Sequence, residues 1–190
     1  MRVNKRKRGI VLIAFGIALI MAALGMNFFN AEQDRIAGET SHSLYESFAE
    51  EMRYVYPHKI EEDEKMELGG YSLLGSIEIA SLDMRLPVLD SWSYDMLKIA
   101  PCRYSGSVDT ADLIIMGHNY KSHFKSLESI SEGVELTFTD IGGNEHIFMV
   151  AEMEMLDKTD IDKLDTKEYP LTLFTCNLSG QGRIVVRCKY

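Results

Sequence analysis

The sequence predicts a mostly β domain, a closed barrel or a sandwich, carried behind one N-terminal transmembrane helix. Three observations lead there. An uncharged apolar run of 21 residues, Gly9–Phe29, follows a cluster of basic residues. From Tyr71 onward, short apolar or alternating runs are separated by turn signals. Those runs number about seven or eight in the last ~120 residues, with little helical periodicity, which suits a closed or nearly closed sheet.

Composition sets the outer bounds. The chain has 190 residues, 46% apolar and 26% charged, close to an average globular protein. Its net charge of -9 argues against a nucleic-acid partner, which would call for a basic face. Three cysteines are too few for a disulfide scaffold. The charge is unevenly placed. Arg2, Lys5, Arg6, Lys7 and Arg8 fall in the first eight positions, and every acidic residue follows position 30.

Residues 1–8 read as a cytoplasmic basic tail and residues 9–29 as a signal-anchor. About 20 apolar residues cross a bilayer. Positive flanks stay inside, which puts the acidic bulk outside the cell. A cleaved signal peptide would carry a shorter apolar core and a small-x-small cleavage site. Met26-Asn27-Phe28-Phe29-Asn30-Ala31 is a poor one. Residues 30–69 form a polar spacer. Within it Leu44, Phe48, Met52 and Val55 recur at helical spacing, predicting a helix over 41–56 that Pro57 stops. Glu61-Glu62-Asp63-Glu64 reads as a solvated linker.

The compact domain spans residues 70–190, entered at Gly69-Gly70. Strands are expected at Tyr71–Ile79 and Met84–Leu89, the second marked as an edge or bulge by Pro87. A short helix is expected over Ser93–Ile99, a buried strand over Ala111–Gly117 and one or two helical turns over Ser122–Ile130. Val134–Thr139 and Glu145–Met155 make a hairpin around Gly142-Gly143-Asn144. In the second of these, Met149, Ala151, Met153 and Met155 form one sheet face. Asp157–Lys167 is a charged connection with room for a helical turn. Leu171–Cys176 and Arg183–Lys189 close the chain as strands.

Three strand ends carry residues of catalytic type: His118 after Ala111–Gly117, Cys176 at the end of its strand, and Arg183 at the start of the last. Rigid sheets present side chains to loops at such places. A thiol attacks a carbonyl as its thiolate, a histidine moves protons near neutral pH, and a guanidinium binds an oxyanion through two donors. Together they suffice for acyl transfer through a thioester.

Thr172-Leu173-Phe174-Thr175-Cys176 resembles the Thr-Leu-x-Thr-Cys signature of sortases, the membrane-anchored cysteine transpeptidases of Gram-positive bacteria. Gly75-Ser76-Ile77-Glu78-Ile79 with Leu86-Pro87-Val88 resembles the family's opening strands. Gly117-His118-Asn119, followed by Phe124 and Leu127, resembles its Gly-His segment. Gly182-Arg183 with Ile184-Val185-Val186 resembles the final strand. The resemblance covers about residues 71–190. It implies an eight-stranded barrel with the site in a groove at one end.

It also implies roles. Cys176 is the nucleophile on the Thr–Gly bond of a Leu-Pro-x-Thr-Gly-like sorting signal. His118 protonates the leaving amine and deprotonates the incoming one. Arg183 orients substrate and stabilises the oxyanion. The partners implied are surface proteins bearing the signal, a peptidoglycan or precursor amine, and the membrane. No cofactor is implied, although some class A relatives use acidic residues near this connection to bind calcium. Asp157, Asp160, Asp162 and Asp165 do not have a recognised calcium-loop spacing and read as a solvated face. Thr175 and Asn119 are candidate substrate contacts, with packing an equal account of Thr175.

The remaining candidates have simpler readings. Cys102 and Cys188 read as buried hydrophobes, with a disulfide between them as the alternative. His118 and His123 lack a third metal ligand at suitable spacing, and His123 is expected on an exposed helix or as a minor groove contact. Arg187 shares a strand face with Arg183 and is its rival. The absence of an Asp-Pro lid motif argues against class C, and class B or D is favoured. Two other functions fit the residues: a cysteine protease or hydrolase, and a non-catalytic surface binding module.

Overall fold

The computed structural model describes residues 2–55, 66–164, 167–177 and 179–190. The chain divides into two compact units, residues 1–36 and 37–190.

The first unit is helical. It belongs to α1, which runs from Arg2 to Val55. Its large apolar side chains over residues 10–29, among them Leu12, Phe15, Leu24 and Phe28, are more than half exposed. No protein surface covers them, and the helix is long and apolar enough to cross a membrane. The polar spacer expected from residue 30 is instead a continuation of this helix. No proline interrupts residues 30–55, and Glu32 and Arg35 pair one turn apart at 2.7 Å. The stop expected at Tyr56–Pro57 lies outside the described residues.

In the second unit the end of α1 buries one stripe: Ala37, Ser41, Leu44 and Phe48. Leu44 and Phe48 belong to the helical face the sequence predicts, Met52 is half-buried, and Ala37 and Ser41 extend the face toward the N-terminus. Leu44 and Phe48 pack on Leu73, Leu89, Leu97 and Cys102. The Tyr45 hydroxyl donates to the Glu78 carboxylate at 2.6 Å.

Nine strands follow among the described residues: β1 (Met66–Leu68), β2 (Tyr71–Ile79), β3 (Met84–Leu89), β4 (Cys102–Ser105), β5 (Leu113–Met116), β6 (Glu135–Asp140), β7 (Glu145–Asp157), β8 (Leu171–Cys176) and β9 (Gly182–Lys189). Their order is β1-β2-β3-β4-β5-β8-β9-β7-β6, and β6 pairs back onto β2. Eight strands therefore close a barrel, and β1 is a short extension hairpinned onto β2. The strand β4 and the three-residue β1 were not expected from the sequence. Pro87 sits in β3, whose ladder to β4 is the single bridge Leu89–Cys102, so a missing N–H costs little there.

The barrel interior holds Ile77, Ile79, Leu113, Ile115, Phe138, Phe148, Leu171, Leu173 and Val186, among others. A second apolar cluster lies on the outer face of β5, β8 and β9: Ile114, Phe174 and Val185, covered by Leu156 and Leu164. The β7–β8 connection folds over this outer face, and its one 3-10 turn is Ile161–Lys163.

Arg187 pins that connection. It is 1% exposed. Its guanidinium donates to the Glu154 carboxylate at 2.6 and 2.8 Å, to Thr172 Oγ1, and to the carbonyls of Lys163 and Leu164. Arg187 does share a face with Arg183, as alternation requires, but every part of its fork is engaged structurally. Replacing it strands two carbonyls and a carboxylate. Arg187→Met should lower unfolding stability by about 3 kcal/mol, read as a shifted denaturant midpoint. Glu154→Gln should also be destabilising, because it leaves the buried Arg187 charge without its counter-ion.

Candidate active site

The site is set by register. In β8, Leu171, Leu173 and Thr175 point into the barrel, and Thr172, Phe174 and Cys176 point out. The first five residues are buried and Cys176 is the first exposed one. The strand thus delivers its thiol where the core ends.

Each edge of β8 adds one residue to this row. On one side β9 is antiparallel, and Cys176 stands opposite Arg183. On the other side β5 is parallel, with Met116 beside Phe174. The Gly117 amide extends that ladder by donating to the Phe174 carbonyl at 3.0 Å. Two residues on from Met116 is His118, and two on from Phe174 is Cys176. Cys176 and Arg183 therefore face each other on adjacent strands, and His118 lies two residues past the end of β5, along the other edge of β8.

Local structure fixes each end of the row. A Cβ on Gly117 would lie 2.4 Å from the Phe124 ring, so only glycine lets Phe124 seat fully in the core there. The Phe124 amide in turn donates to the His118 carbonyl at 3.2 Å. At the other end Asn177 closes the β8–β9 turn. Its amide donates to the Gly182 carbonyl at 2.9 Å, and its Oδ1 accepts from the Gly182 amide at 3.1 Å and the Ser179 hydroxyl at 2.9 Å. Gly180 takes the left-handed conformation this turn requires, at φ 67°.

Arg183 is half-buried, and its Nη1 donates to the Lys158 carbonyl at the start of the β7–β8 connection. Beside it, the Thr159 hydroxyl and amide hold the Asp157 carboxyl below its usual range, with Lys158 and Arg183 contributing charge. Asp160 pairs with Lys163 at 2.9 Å. Asp165 lies outside the described residues. Among the described residues, no group of three His, Cys, Asp or Glu side chains could hold a metal ion.

The outer face next to Cys176 is apolar and aromatic. Tyr104 meets Phe174 edge to face at 5.3 Å, and Trp92 stacks on Tyr104 at 5.8 Å. On the other side of the row, a cleft of about 490 Å³ opens between Asn177, Ser179, Ile184, Met153, Met155 and Glu128. These rings lie far apart in the chain, and no motif in the sequence joined them.

Several expectations change. Thr175 is fully buried and faces the barrel interior, so it packs rather than lining the groove. His123 is 1% exposed, not on an exposed surface, because its segment winds back into the barrel. Asn119 is half-buried beside His118, and its Oδ1 is buried with no hydrogen-bond partner among the described residues. Cys102 and Cys188 are free thiols, each fully buried and in different clusters, so no disulfide joins them. Burial pushes both up to about 12. Cys102 donates to the Ala100 carbonyl at 3.3 Å.

The family model described as Sortase domain matches residues 77–190. A Clostridium perfringens sortase D5 transpeptidase is 18% identical, with a TM-score of 0.58 over 80% of this chain and 95% of that one. Sortase C1 of GBS Pilus Island 1 is 17% identical, with a TM-score of 0.60 over 78% of this chain and 91% of that one. Sortase C of Clostridium perfringens, solved with the C-terminal cell wall sorting motif, is 19% identical, with a TM-score of 0.55 over 80% and 87%. At these identities the likeness is one of fold. No curated protein matches the chain.

The burial of the three thiols is directly measurable. In the folded protein at pH 8, iodoacetamide should modify Cys176 alone, and unfolding should open all three cysteines. Peptide mapping after a short pulse reads the sites.

Proposed function

Because this chain belongs to the sortase family, we propose that it is a membrane-anchored cysteine transpeptidase that joins exported proteins to a cell-wall amine. The observation that carries this is the exposed Cys176 opposite Arg183 on β8 and β9, with His118 just past the end of β5 on the other edge of β8. Cys176 is the exposed thiol in a protein whose other two are buried and held protonated at neutral pH.

The reaction runs in two halves. The Cys176 thiolate attacks the threonine carbonyl of a Leu-Pro-x-Thr-Gly-like signal. Arg183 leaves its contact with the Lys158 carbonyl and donates to the oxyanion. As the C–N bond breaks, His118 gives its proton to the departing glycine amine. The acyl group is now a thioester on Cys176. An amine, from a peptidoglycan stem peptide or its precursor, then attacks. His118 accepts its proton, the C–S bond breaks and the thiolate returns. No ATP is needed, because the thioester keeps the energy of the cleaved amide.

The apolar outer face around Phe174, Tyr104 and Trp92 supports an extended, largely apolar signal lying beside the thiol. The reaction uses no cofactor, and Asp157 and Asp160 are committed to Thr159 and Lys163. The short β7–β8 connection, with its single 3-10 turn, favours class D over class B. The helix of residues 9–29 anchors the enzyme, with the basic tail inside and the barrel outside.

Incubating the full-length protein with Leu-Pro-x-Thr-Gly and Asn-Pro-x-Thr peptides should give an acyl adduct by intact mass, absent in Cys176→Ala. Cys102→Ala should retain turnover. Arg183→Lys should be badly impaired, because an ammonium does not reproduce the planar fork. A folded Cys102→Ala protein without activity would contradict the assignment of the nucleophile.

A further inference from the structure

The imidazole of His118 lies face to face with the ring of Tyr120. The ring centroids are 3.7 Å apart and the planes are 17° from parallel. Tyr120 also meets His123, at 5.5 Å and 55°, and His123 is almost wholly buried. The main chain holds Tyr120 in place, since its carbonyl accepts from the amides of His123 at 3.0 Å and Lys125 at 3.1 Å. Phe124, between those two donors, is fully buried in the barrel core. The ring that His118 rests on is therefore mounted on a wound segment with a core anchor.

The geometry is informative about charge. Two neutral aromatic rings prefer an offset or edge-on contact. A near-parallel contact at this distance suits a cation over the negative face of a π system. His118 is the group that alternates between neutral and cationic during both proton transfers. Among the described residues, His123 lies against Tyr120 and Lys98 is within electrostatic reach of it.

We propose that Tyr120 is the positioning residue for His118: its ring face fixes the imidazole plane beside Cys176 and supports the protonated ring that both half-reactions require. The role rests on the transpeptidase reading of the row. It belongs to the ring and not to the hydroxyl, so phenylalanine should replace it and an aliphatic side chain should not.

The test uses full-length protein in detergent micelles, as wild type, Tyr120→Leu, Tyr120→Phe and His118→Ala. Three readouts are taken: the His118 ring resonances by selective histidine labelling, steady-state transfer of a Leu-Pro-Glu-Thr-Gly peptide to triglycine, and thermal unfolding. In Tyr120→Leu the His118 resonances should lose their ring-current shift. Its kcat should fall about tenfold, the size of one cation–π contact, with KM and the unfolding midpoint little changed. Tyr120→Phe should recover both the resonance and most of the rate.

The role of Tyr120 is overturned if the His118 resonances do not move in Tyr120→Leu, if kcat holds, or if the loss lies in KM or in the unfolding midpoint. His118→Ala separates the two levels. If it is inactive while Tyr120→Leu turns over at the wild-type rate, the transpeptidase reading stands and the positioning role falls. A wild-type protein that forms no acyl adduct with this peptide or with the wider panel overturns both.

Discussion

Strand β8 is hydrogen-bonded along both edges, in parallel to β5 and antiparallel to β9. The candidate site follows from that constraint. A side-chain period of two means that a one-residue slip on either edge would turn a functional residue into the core. A slip of β9 would present Ile184 beside Cys176 and bury Arg183. A slip on the β5 side would put Gly117 or Asn119 where His118 stands. Register is protected by the inward set, Leu113, Ile115, Leu171, Leu173 and Val186, which have no exposed position to move to. Packing inside the barrel therefore decides the chemistry outside it.

The same logic divides residues of one type into different tasks. Three thiols are present, and burial makes two of them inert while the end of β8 exposes the third. Two arginines share one face of β9. Arg187 is walled in by Glu154, Thr172 and two carbonyls and holds the β7–β8 connection down. Arg183, four residues earlier at the strand's start, makes a single contact to a backbone carbonyl of that same connection. Arg187 thus steadies the loop against which Arg183 rests.

Much of this was legible in the residues. Tyr71–Ile79, Met84–Leu89 and Leu171–Cys176 were read to the residue, because alternation and turn residues bound them tightly. The row itself followed from strand ends and the family resemblance. What escaped notice depends on contacts between distant segments. Strand β4 is four residues between Pro101 and Gly106, tied to β3 by one bridge, too short for any periodicity. The burial of His123 and Arg187 comes from loops folding back, which no local pattern encodes. Residues 30–40 looked like a spacer because they are polar, yet polarity without a breaker is also compatible with a solvated helix. Tyr120 carried no signal at all, since a tyrosine two residues after a histidine means nothing until their rings are seen to stack.

Acyl transfer to an amine and simple hydrolysis share the same thioester and part only at its resolution. The most direct measurement is the fate of the thioester once formed. Acyl-enzyme prepared on the full-length protein would be isolated and chased with either buffer alone or a peptidoglycan-type amine, following the loss of the Cys176 adduct by intact mass. A transpeptidase should show slow loss in water and rapid loss with the amine, with the new amide recovered as product. Equal rates in both, with only free acid recovered, would contradict it and identify a cysteine hydrolase on the same scaffold.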